Sequence, residues 1–116
     1  MIINGNLDLE RSSIESLGNI KEIKGELNLI SCKKIKSLGN LKKIGKDFYS
    51  NDEIESLGDL QIVNSSVFLQ KCYLLKNLGK LKKVKGSIYL LGSGITKEYI
   101  EKEKPFLLNK CVWELK

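Results

Sequence analysis

The side chains that usually carry catalysis are sparse in this chain. Its 116 residues include no histidine, three cysteines and one arginine. Without histidine, a serine or cysteine nucleophile lacks its commonest general base, and the lysines stand in no recognisable catalytic motif. Cys32, Cys72 and Cys111 lack the close pairing of metal-binding cysteines. The residue types therefore predict a protein that is not an enzyme and uses no metal or cofactor.

Aromatic residues at a regular spacing point to binding instead. Tyr49, Phe68 and Tyr89 follow one another at steps of 19 and 21 residues. A row of large, rigid, exposed rings marks a surface that binds a partner, because the rings bury much area at a low cost in entropy. The opposing interpretation is that aromatic residues simply favour strands. We favour the binding interpretation.

Lysines offer a second candidate surface. The chain has 20 Lys and Arg against 14 Asp and Glu, a net charge of +6. One group of lysines recurs at a single phase of the sequence, and we call it the lysine ridge: Lys21, Lys24, Lys42, Lys43, Lys82, Lys83 and Lys85. Such a ridge could follow a phosphate backbone, with aromatic rings stacking on bases. Gln61, Ile62 and Asn64 interrupt it, and a solvated face that keeps the protein soluble is the simpler account.

The elements that must position these residues form an internal repeat. The segment Ile23–Lys43 has the skeleton Ile-x-Gly-x-Leu-x-Leu, then a polar turn, then Ile-x-Ser-Leu-Gly-Asn-Leu. Matching restarts occur at steps of 20, 21, 19 and 21 residues, at Ile3, Ile23, Ile44, Val63 and Val84. A period near twenty with fixed apolar positions is typical of a solenoid. We predict one domain over 1–116, with repeats at 3–22, 23–43, 44–62, 63–83 and 84–95.

Each repeat should place one residue outward between two inward apolar residues of a short strand. These outward residues are Asp8, Asn28, Tyr49, Phe68 and Tyr89, and together with their outward neighbours they define the strand face. Ile30 and Leu91 flank the row two residues further along their strands. Asp8, Glu10, Glu26 and Asp47 make the face acidic toward the N-terminus. A partner would then have a basic end and an apolar end.

After Ile95 the repeat stops, and residues 96–116 are predicted to cap the open core. Thr96 can cap a helix over 97–104, Pro105 can end or restart it, and Cys111–Leu115 alternates like a last strand. No comparable cap precedes Ile3, so the first repeat is a candidate site for pairing with a second copy of the chain.

The strand and turn sequence resembles that of a known repeat family. Leu27-Asn-Leu29-Ile-Ser-Cys32 and Val67-Phe-Leu69-Gln-Lys-Cys72 resemble the leucine-rich-repeat strand signature, in which Asn or Cys follows the second leucine by three. Ser12 and Ser93 stand there in two other repeats, and the third has no clear equivalent. The Ile-x-Gly-x-Leu-x-Leu segment that opens the repeat also resembles receptor L-domain repeats. The resemblance covers about 3–95 and implies a mainly β, right-handed solenoid of about five short coils that binds other molecules.

We therefore expect a non-catalytic protein–protein interaction module, a small inhibitor or adaptor that binds through the strand face. Tyr49, Phe68 and Tyr89 would be its anchors, with Ile30, Leu91, Asp8 and Asp47 beside them. The Lys/Ile/Asn-rich composition suits an AT-rich bacterial or phage genome, so a phage-encoded blocker of a bacterial defence enzyme is one version. The alternative is a basic binder of RNA or of a ribonucleoprotein that uses Lys42, Lys43, Lys82, Lys83 and Lys85. The opening residues lack a signal-peptide core and no apolar run could span a bilayer, so we expect a cytoplasmic protein.

Overall fold

The computed structural model describes residues 1–114, and its regular secondary structure consists mainly of very short parallel strands. Each of the five repeats contributes two strands of two residues. The first strand of each is Ile2–Ile3 (β1), Glu22–Ile23 (β3), Lys43–Ile44 (β5), Ile62–Val63 (β7) and Lys83–Val84 (β9). The second is Leu7–Asp8 (β2), Leu27–Asn28 (β4), Phe48–Tyr49 (β6), Val67–Phe68 (β8) and Ile88–Tyr89 (β10).

These strands form two parallel sheets. The first sheet has the order β1-β3-β5-β7-β9, and the second runs β2-β4-β6-β8-β10 and gains one more strand, β11 (Cys111–Val112), beside β10. The register pairs each residue with the residue at the same point of the next repeat, as in the pairs Ile3–Ile23 and Leu27–Phe48. The sequence steps of 19 to 21 residues are therefore the distance along the chain between hydrogen-bonded neighbours.

The core lies between the two sheets and the turns that join them. In the second repeat it contains Ile23, Leu27, Leu29, Ile35, Leu38 and Leu41, all fully buried. The first repeat has apolar residues at the same positions, but Ile14 is 39% exposed and Leu7, Leu9 and Ile20 are only partly buried. The reason is that an end repeat packs against one neighbouring repeat, whereas the inner repeats pack against two.

The turn after the second strand takes two forms. In four repeats a residue with positive φ (Arg11, Ser31, Lys71 or Gly92) precedes an N–H that donates to the carbonyl three residues back. The third repeat is two residues shorter at this point, and Asn51 turns its amide into the core instead. The side-chain amide donates to the backbone carbonyl of Cys32, and the backbone carbonyl of Asn51 accepts from the Cys72 thiol. The sequence offers no clear equivalent of Cys32 and Cys72 in the third repeat, and the structure places Asn51 between these two residues.

The C-terminal segment closes one end of the core. Helix α1 (Lys97–Glu103) begins at Thr96, whose hydroxyl accepts from the N–H of Tyr99, and a 3-10 helix follows at Pro105–Lys110. The Tyr99 hydroxyl accepts from the N–H of Leu78 at 2.9 Å, which fixes α1 against the fourth repeat. Strand β11 then extends the second sheet at its end. The part of the predicted last strand at 115 lies outside the described residues.

Candidate functional site

The three aromatic residues of the strand face form a continuous stack. The ring centroids of Tyr49 and Phe68 are 4.7 Å apart with planes 6° from parallel, and those of Phe68 and Tyr89 are 4.8 Å apart at 4°. This spacing equals the separation of neighbouring strands, because the register pairs Tyr49 with Phe68 and Phe68 with Tyr89. All three residues are half-buried. We call them the aromatic stack, in which the strand register holds three rings parallel to one another.

The apolar flanking residues do not join into one patch. Ile30 and Leu91 are each 41% exposed. They belong to the second and fifth repeats, and β6 and β8 separate their strands in the sheet. Ile30 therefore lies toward the acidic end of the strand face and Leu91 toward its apolar end.

Asp47 accepts more hydrogen bonds than Asp8 or Glu10 on the same face. Its Oδ1 accepts hydrogen bonds from the Ser65 hydroxyl and from the N–H of Ser66, and its Oδ2 lies 3.4 Å from the Tyr49 hydroxyl. The Ser65 hydroxyl first, and then the Ser66 N–H, lower the pKa of the Asp47 carboxyl. Burial raises the pKa of Tyr49, and the negative charges of Asp47 and Glu26 raise it further. Asp47 is thus held as a carboxylate beside the first ring of the stack.

This arrangement predicts a pH-dependent contribution to stability. A carboxyl whose pKa is lower in the folded than in the unfolded chain stabilises the fold above about pH 4, and that stabilisation is lost as the pH falls. Ser65→Ala should therefore shrink the loss in free energy of unfolding between pH 7 and pH 3, measured by urea denaturation. Ser66→Ala is the control, because only its backbone N–H contacts Asp47. Equal effects of the two changes would remove the assigned role of the Ser65 hydroxyl.

The structure divides the lysine ridge into two patches. The backbone bonds place Lys21, Lys42, Gln61 and Lys82 side by side in successive repeats, so the uncharged Gln61 interrupts the row. In the neighbouring row Ile62 lies between Lys43 and Lys83. The patch on repeats four and five, Lys82, Lys83 and Lys85, is exposed. The other patch contains Lys21, Lys24, Lys42 and Lys43. There the Lys24 ammonium forms an ion pair with Glu22 at 3.3 Å, which partly neutralises it.

A pocket beside the strand face was not predicted from the sequence. It has a volume of about 300 Å³ and lies where the third repeat is short, between Ile30, Ser50, Asp52 and Glu53. Its lining residues come from the turns of the second repeat and of the shortened third repeat. The sequence evidence for it is the step of 19 residues, which shows that the third repeat is shorter but not where in the repeat the residues are missing.

The three cysteines are free thiols that are buried or half-buried. Burial raises the pKa of the Cys72 and Cys111 thiols to about 11, so both stay protonated at neutral pH. Among residues 1–114 no group of three or more His, Cys, Asp and Glu side chains could hold a metal ion. Within the same range, no helix has the length and apolar character needed to cross a bilayer. Comparisons with protein-family models, curated proteins and solved structures found no match to this chain.

Proposed function

We propose that this chain is a non-catalytic binding module that occupies a partner protein through its strand face. The observation that supports this most is the aromatic stack of Tyr49, Phe68 and Tyr89, which is half-exposed on one face of the second sheet. Aromatic residues dominate the binding energy of protein interfaces when a partner covers them. The stack is preorganised by the strand register, so binding would cost little ordering of these side chains.

The scaffold in this proposal is a leucine-rich-repeat-like solenoid. Two parallel sheets whose strands pair at steps of 19 to 21 residues support it. Asn51 adds support, because asparagine or cysteine is the residue that this family carries at the inward turn position. Such a module would act by occupying its partner, which is how a small inhibitor or adaptor works.

The proposal is tested by capture of partners from a host lysate with the wild-type chain and a Tyr49/Phe68/Tyr89→Thr triple variant. Threonine keeps the preference for strands but removes the rings. We expect a protein that is retained after nuclease treatment and whose affinity for the variant falls ~100-fold or more, which corresponds to a loss of about 3 kcal/mol from the three rings together. A Tyr73→Ala/Phe106→Ala variant is the control, because both rings are 56% exposed and lie off the stack.

The alternative function is binding of RNA or a ribonucleoprotein through the lysine ridge. The exposed Lys82, Lys83 and Lys85 favour it, together with the net charge of +6. Phosphate contacts would make binding fall steeply with salt concentration. Nucleic acid that is recovered from the lysate, lost at high salt and retained by the Tyr49/Phe68/Tyr89→Thr variant would replace the strand-face proposal with this one.

A further inference from the structure

The aromatic stack ends at Tyr49, and the side chains that follow in the same row are shorter. We call this drop in side-chain length the step at Tyr49. Tyr49 pairs in register with Asn28, and Asn28 with Asp8, so the next two side chains along this row are much shorter than a tyrosine ring. Two hydrogen bonds also hold the Asn28 amide close to the sheet. Its Oδ1 accepts from the N–H of Ile30 at 2.9 Å, and its Nδ2 donates to Glu10 at 3.3 Å. The outer half of the Tyr49 ring therefore presents a free face above Asn28.

Carboxylates surround this step, although the chain as a whole is basic. Glu26 and Asp47 lie side by side in neighbouring repeats on one side of the row, and Asp8 and Glu10 lie below it. The ion pairs of the described residues join Lys24 to Glu22, Lys36 to Glu53 and Lys80 to Asp59. None of them includes the four carboxylates around the step. Asp8, Glu10 and Asp47 accept hydrogen bonds within the chain, but none of the four is paired with a cation of the described residues.

The opposite end of the stack differs. Tyr89 pairs with Val112 of β11, so a short side chain follows the ring there as well. Ser66 and Ser87 occupy the positions that correspond to Asp47 and Glu26 in the fourth and fifth repeats. The row that carries Glu26 and Asp47 beside Tyr49 thus carries uncharged serines toward Tyr89, and the Tyr49 end is the better suited to a cation.

We propose that the step at Tyr49 binds an arginine side chain of the partner, with its guanidinium stacked on the free ring face and paired with Asp47 and Glu26. This inference rests on the proposed function of the strand face and adds the chemistry of the partner. A guanidinium is planar, stacks on aromatic rings and carries five N–H donors, whereas a lysine ammonium is a strongly hydrated point charge. Apolar side chains of the same partner segment would then follow over Phe68 and Tyr89.

The test uses the ¹⁵N-labelled chain and the probe N-acetyl-arginine amide, followed by chemical-shift changes of the backbone amides. We expect saturable shifts at Asn28, Asp47 and Tyr49, with binding at least ~5-fold weaker for N-acetyl-lysine amide and absent for N-acetyl-citrulline amide, the neutral isostere. Tyr49→Leu and Glu26→Gln/Asp47→Asn should each weaken arginine binding ~5-fold or more. Tyr89→Leu is the matched control and should leave it unchanged, and the same spectra report whether each variant is folded.

Several results would overturn the inference. They are the absence of shifts at the step, equal affinity for the lysine and arginine probes, or an effect of Tyr89→Leu as large as that of Tyr49→Leu. A strand-face binder that captures a partner but fails these tests would keep the proposed function and lose the arginine site. A chain that binds the probe at Tyr49 yet retains its lysate partner after loss of the rings would keep the site and lose the proposed function.

Discussion

Replacing Gly58 with alanine is expected to lower the free energy of unfolding by about 3 kcal/mol. Gly58 has a φ of +56°, and a Cβ built on it would lie 2.5 Å from the carbonyl oxygen and 2.6 Å from the nitrogen of Gly39. Both atoms belong to the backbone of the preceding repeat, so neither can move aside without shifting the stacking of the two repeats. The cost therefore combines positive φ with overpacking.

Gly39→Ala is the matched control for that substitution. Gly39 has nearly the same φ, +57°, but a Cβ there would meet nothing within 4 Å. Its cost should be at most about 1 kcal/mol, because alanine also reduces the entropy of the unfolded chain. Thermal melts should then place Gly58→Ala about 10 °C or more below Gly39→Ala. Equal melting temperatures would mean that only φ, and not the contact between repeats, requires glycine at this position.

The strand register could be predicted from the sequence, because in a parallel stack of repeats the equivalent residues of successive repeats lie on neighbouring strands. Once Ile23, Ile44 and Val63 are taken as equivalent, Tyr49 and Phe68 must lie on neighbouring strands about 4.8 Å apart. The measured 4.7 Å between their rings agrees with that expectation. The helix after Thr96 was also predicted, since its cap depends only on local sequence.

What could not be predicted depends on contacts between distant segments. The alternation in 111–115 indicated a strand, but no local pattern says which sheet it joins, and the structure places Cys111–Val112 beside β10. The inward turn residue of the third repeat is harder to predict. The repeat signature places it three residues after the second leucine, and counting from Ser50, which replaces that leucine, leads to Glu53. The shorter turn instead puts Asn51 in the inward position. Only the packing of Asn51 between Cys32 and Cys72 identifies it.

Asn51→Ala is expected to destabilise the fold by about 3–5 kcal/mol, because it leaves several buried backbone groups without partners. Asn51 is 1% exposed. Its Nδ2 donates to the carbonyls of Cys32 at 2.8 Å and Ile35 at 3.1 Å, and its Oδ1 accepts from the N–H of Glu53 at 2.8 Å. One side chain thus satisfies backbone groups of two repeats at the point where the regular turn is missing two residues. The measurement is urea denaturation at neutral pH.

Asn77→Ala provides the control of the same residue type. The Asn77 Oδ1 accepts from the N–H of Gly79 at 2.9 Å, but Asn77 is exposed, so water can replace the lost bond. Its cost should stay near or below about 1 kcal/mol. An Asn51→Ala variant that loses no more than this would mean that water from the adjacent pocket satisfies the exposed carbonyls.

The Asn51→Asp variant separates the donor role of the amide from its acceptor role. The introduced carboxyl can still accept from the Glu53 N–H, but as a carboxylate it faces the carbonyls of Cys32 and Ile35, which repel it. Its pKa in the folded chain should lie above its value in the unfolded chain, so the destabilisation is largest at neutral pH. As the pH falls toward 5, the protonated carboxyl regains one donor, and the gap to the wild type should narrow. A gap that is independent of pH would show that the amide acts through its shape rather than through its two donated hydrogen bonds.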